Sequence, residues 1–95
     1  MENQRNGIYL SIKYLGFRKR KPVPWGCAAN NFEECFDKAK NWMSENKGKF
    51  ISGGFMPCTL YEIDFKGEKI TMQSVAYISP KTMLNEKQIQ ELNGN

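Results

Sequence analysis

Six apolar residues, Phe32, Cys35, Phe36, Ala39, Trp42 and Met43, recur at helical spacing within a polar stretch, and they constrain the fold more than any other feature. On a 3.6-residue period they share one face, so the segment can bury them together only as an amphipathic helix. Its ends are marked as well. Asn30 or Asn31 can cap the start, with Glu33 or Glu34 three positions on. Glu33, Glu34 and Asp37 come early and Lys38, Lys40 and Lys47 late, an order that complements the helix dipole. Gly48 suits the residue after the last turn, so the pattern predicts a helix to about residue 46.

Such a helix needs a second layer, and the flanking segments have the period of strands. Ile8, Leu10, Ile12 and Tyr14 alternate with Tyr9, Ser11, Lys13 and Leu15, which predicts a first strand ending near Gly16. Residues 18–30 are expected to form a loop, because Pro22 and Pro24 forbid helix. After the helix, Gly53-Gly54 between Phe50-Ile51 and Phe55-Met56 suits a two-residue hairpin turn. A second hairpin is expected from Cys58–Phe65, a turn at Lys66-Gly67, and a strand with Ile70, Met72, Ser74, Ala76 and Ile78 on one face, closed by Ser79-Pro80. A short helix over about 86–92 completes the plan, with Asn85 as cap, Gln88 three positions on, and Leu84 stapled to Ile89.

These elements predict an α+β fold: one two-layer domain over residues 1–95, its long helix packed on a small, mainly antiparallel sheet. The order is β-α-β-β-β with a short C-terminal helix, and residues 1–6 and 93–95 are expected to fray. No run of 18 apolar residues occurs, so no transmembrane helix and no membrane partner are expected. The polar start lacks the apolar centre of a signal peptide, and three widely spaced cysteines (Cys27, Cys35, Cys58) do not make a disulfide framework. The expected compartment is the cytoplasm.

The chain has no histidine, which removes the usual general base, the usual metal ligand and the near-neutral proton switch together. With no paired cysteines and no glycine-rich phosphate loop, neither enzyme chemistry, a cofactor nor a metal is expected. Glu62 and Asp64 share a strand face by parity and read as solvated charges.

The charge is lopsided. Residues 1–26 carry six Lys/Arg and one acidic residue, whereas residues 27–95 carry eight and nine. Four of those cations are consecutive: Arg18, Lys19, Arg20 and Lys21, followed by Pro22-Val23-Pro24-Trp25. A stiffened run of positive charge attracts phosphate or an acidic protein surface, and Trp25 can stack on a base or fill a pocket. The alternative for Trp25 is a lid folded back over the core. Phe55 and Met56, at the expected Gly53-Gly54 tip, form a secondary candidate surface. Tyr9, Tyr14, Tyr61 and Tyr77 are a weaker candidate for a stacking platform.

The expected function is therefore binding without catalysis, to nucleic acid or a nucleoprotein complex through the basic loop. The alternative is a protein–protein adaptor or inhibitor, of the kind a phage or mobile element carries against a host protein.

Overall fold

The computed structural model describes residues 3–18, 20–75 and 82–94. In chain order its elements are β1 (Asn3–Leu15), β2 (Val23–Ala29), α1 (Phe32–Asn46), β3 (Lys49–Phe65), β4 (Glu68–Val75), β5 (Thr82–Met83) and α2 (Glu86–Leu92). The main sheet has the spatial order β2-β1-β3-β4, antiparallel throughout, and β5 pairs with β3 beside Gly54 and Phe55.

The two-layer plan of a long helix covering a small sheet is overturned: the molecule is mostly antiparallel sheet with two short helices. Length is the physical reason. A 15-residue helix spans about 22 Å, whereas the 17-residue β3 runs through a molecule 42 Å in its longest dimension. Accordingly α1 packs chiefly on β1 and β2, and the far part of the sheet projects beyond it.

Two strand readings are corrected. Val23–Ala29 is a strand rather than part of a loop, paired with β1 from Tyr14↔Val23 to Ile8↔Ala29. Prolines do not prevent this, because among the described residues β2 is an edge strand, and Pro24 has no outer neighbour there to which it must donate. Gly53-Gly54 is no turn either. β3 runs straight through it, with Gly53 opposite Ile12 and Gly54 opposite Ser11. A Cβ at Gly53 would stand 2.5 Å from the Ser11 carbonyl oxygen and 2.6 Å from Ile12 Cγ2, so glycine here permits close strand approach.

The turn expected at Lys66-Gly67 does form, with φ of 51° and 83° at its two residues, as a tight β3–β4 hairpin requires. Pairing of β1 begins at Asn3, opposite Glu62. Ala76, Tyr77, Ile78 and Ser79-Pro80 lie outside the described residues.

The core forms where α1, α2 and the inner faces of β1, β2 and β3 meet. Leu10, Ile12 and Tyr14 from β1, Cys35, Ala39 and Met43 from α1, Phe50 and Phe55 from β3, and Leu84 and Leu92 are all buried. A register shift between Lys13 and Tyr14 leaves Ile51 without a partner on β1; it turns Phe50 inward opposite Tyr14 and Ile51 outward. Asn31 caps α1 by accepting from the Glu34 N–H at 2.9 Å. At the other end Lys47 takes the left-handed conformation (φ 49°) rather than Gly48. Gly48 is small for another reason: a Cβ there would meet the Tyr14 ring at 2.6 Å.

Asn85 and Gln88 close a reciprocal capping box on α2. Past its end, Asn93 Oδ1 accepts from the Phe50 N–H at 2.6 Å, tying the C-terminal region to the start of β3.

Candidate nucleic-acid interface

The basic run sits in the turn joining β1 to β2. Arg18 takes φ of 69°, a left-handed conformation that reverses the chain, and its guanidinium lies 5.5 Å above the ring of Phe17, which is itself 65% exposed. Arg20, Lys21 and Pro22 are exposed, and Lys19 lies outside the described residues.

The fold brings further cations to this end. Leu15 pairs with Lys49, so the start of β3 lies beside the end of β1, and the turn from α1 into β3 arrives at the same place. That turn carries Lys47 at the helix cap and Lys49 on the strand, both exposed. Lys13, exposed on the face of β1 away from α1, pairs in register with Pro24 and Ser52. Arg18, Arg20, Lys21, Lys13, Lys47 and Lys49 thus gather at one end, from three stretches of chain. Among the described residues the ion pairs are Arg5–Glu62, Lys38–Glu34 and Lys40–Glu91, and none uses these six. The acidic Glu62, Asp64 and Glu68 lie towards the far tip of the β3–β4 hairpin. Glu45, in the last turn of α1, is the acid nearest this end in sequence.

Trp25 is not an open stacking surface beside the cations. It pairs with Ile12, is half-buried, and stacks on Trp42 of α1 with ring centroids 4.8 Å apart and planes 18° from parallel. Trp42 in turn meets Tyr14 edge-on at 4.5 Å. Trp25 therefore closes the core over the end of α1. Phe55 is 3% exposed and packs edge-to-face on Phe32, while Met56 is half-buried opposite Tyr9. With the strand running through Gly53-Gly54, these two residues form no projecting tip.

Among the described residues the tyrosines do not assemble a platform. Tyr14 is in the core, the Tyr9 hydroxyl lies where a Cβ of Gly26 would stand, Tyr61 is half-buried, and Tyr77 is outside the described residues. Glu62 is paired with Arg5 at 3.0 Å. No group of three or more potential metal ligands occurs among the described residues, and no described helix is long and apolar enough to cross a membrane.

Two features escaped the sequence reading. Lys47 and Lys49 belong to a stretch whose charges balance along the chain, and only the cap and the Leu15–Lys49 register bring them to the basic turn. The second is an apolar face on the β3–β4 hairpin, where Phe65, Ile70 and Met72 are 54%, 37% and 52% exposed. Its signal was the alternation itself, which matched a buried face but had no helix long enough to cover it.

No family model, curated protein or solved structure matches this chain.

Proposed function

We propose that this domain binds nucleic acid, alone or within a nucleoprotein complex, through the basic end formed by Arg18, Lys19, Arg20 and Lys21 with Lys13, Lys47 and Lys49. The observation that carries this reading is the convergence of the β1–β2 and α1–β3 turns, which concentrates exposed cations that have no carboxylate partner among the described residues. Unpaired, solvated ammonium and guanidinium groups lose little by exchanging water for phosphate, and each neutralised phosphate releases condensed counterions. Recognition of this kind reads backbone charge and groove shape rather than base edges. Trp25 supports the interface from behind, by fixing β2 against α1, and does not stack on bases.

The test is a salt titration of affinity for single- and double-stranded nucleic acid. Binding near 50 mM salt should fall steeply on raising the salt, with a log–log slope of about −0.9 per phosphate neutralised on a duplex. Replacing Arg18, Lys19, Arg20 and Lys21 together by Ser should abolish it with the fold intact. Absence of any binding at that low salt sinks the proposal.

A second reading, a protein–protein adaptor or inhibitor, draws on the uncovered face of Phe65, Ile70 and Met72. A partner held there would be indifferent to salt, released by Phe65→Ser, and retained by the quadruple Ser variant.

A further inference from the structure

We propose that Cys27 and Cys35 are a thiol pair that peroxide converts into an intramolecular disulfide joining β2 to α1. The two residues come from different elements and meet because only Asn30 and Asn31 separate β2 from the helix. Each sulfur lies against the other residue's carbonyl oxygen, Cys27 Sγ at 3.6 Å from Cys35 O and Cys35 Sγ at 3.8 Å from Cys27 O. Their exposures differ as an attacking and a resolving thiol require: Cys27 is half-buried at the edge strand, and Cys35 is fully buried, its thiol 3.0 Å from the Ile8 carbonyl.

The electrostatics point the same way. Hydrogen bonding with Cys35 draws the Cys27 thiol below its ordinary range, and the Lys38 ammonium adds to this against burial and Glu34. Cys35 moves in the opposite sense, held protonated by the same hydrogen bond and by burial. The thiolate is the nucleophile, so Cys27 reacts first.

The chemistry balances. The Cys27 thiolate attacks one peroxide oxygen, the O–O bond breaks, and the sulfur becomes a sulfenic acid while the departing hydroxide takes up a proton as water. Cys35 sulfur then attacks Cys27 sulfur, the S–O bond breaks, and the Cys35 proton leaves with the hydroxide as a second water. Two thiols are oxidised by two electrons, and one peroxide is reduced.

The experiment treats the full chain with hydrogen peroxide, quenches it, alkylates free thiols under denaturing conditions and maps tryptic peptides. Cleavage after Arg20 and Lys38 leaves both cysteines in one fragment, since the Lys21-Pro22 bond resists trypsin, while Cys58 falls in the fragment 50–66. The expected result is a 21–38 fragment lighter by two hydrogens, unalkylated until dithiothreitol is added, with Cys58 still alkylated. Cys35→Ser should instead halt at a sulfenic acid that dimedone captures on Cys27. Two alkylated cysteines in the wild-type fragment after peroxide overturn the proposal, as does a crosslink from either cysteine to the Cys58 fragment. The wild-type readings stand even if the variant does not fold.

Discussion

Trp25 is where a residue-scale reading matters most, because the same side chain had two meanings in the sequence. A tryptophan after a basic run is compatible with base stacking or with core closure, and the choice depends on Trp42, seventeen positions away on another element. Nothing local encodes that partner. Trp25→Ala should therefore cost about 2 kcal/mol of stability by removing the stacked ring and its burial, while leaving the salt slope of nucleic-acid binding unchanged. Urea denaturation reads the first effect and a salt titration the second. The thiols and Tyr9 make a further residue-scale prediction. The hydrogen bond with Cys27, then burial, holds Cys35 above its ordinary pKa, and burial does the same for Cys58 and Tyr9. Each then binds its proton more tightly in the folded state, so its contribution is complete below the unfolded pKa and is lost as pH rises. Thermal stability should decline above about pH 8.5, where unfolded thiols begin to ionise. Melting curves between neutral and alkaline pH check this, and Cys58→Ala should flatten part of the decline.

At the scale of elements, α1, the Lys66-Gly67 turn and α2 were legible because their signals are local: a period, a cap, a pair of residues that accept positive φ. The edge strand β2 and the unbroken β3 were not, since each depends on what lies alongside. Pro24 reads as a loop residue until β2 is known to be an edge, and Gly53-Gly54 reads as a turn until β1 is known to press against it. The two kinds of glycine should respond differently to substitution. Gly67→Ala meets no atom within 4 Å and is penalised only for its φ of 83°, by about 1 kcal/mol. Gly53→Ala must displace strand backbone as well, and overpacking of that kind costs about 2–3 kcal/mol. Equilibrium unfolding of the two variants should rank them in that order; the reverse order would mean that the β1–β3 approach is looser than its geometry.

Over the whole molecule, cations without a carboxylate partner among the described residues gather at one end, whereas the β3–β4 tip mixes Glu62, Asp64 and Glu68 with Arg5, Lys66 and Lys69. Counting charges along the chain located the Arg18–Lys21 part of this and missed the rest, because Lys47 and Lys49 join it only through strand register. Replacing Lys47 and Lys49 by Ser should reduce the salt slope by up to about two, one for each phosphate no longer neutralised. An unchanged slope would confine the interface to the β1–β2 turn. The long antiparallel pairing of β1 with β3 has a further consequence, for how the molecule comes into being. During synthesis the β1–β2 hairpin and α1 emerge first and can fold from local interactions, but the inner edge of β1 waits for a strand that ends only at Phe65. Until then its backbone donors and acceptors stand open to any neighbouring chain. Closing so distant a pairing is the slow step of a β-rich fold, and a nascent chain stalled after Asn46 is the form most exposed to aggregation.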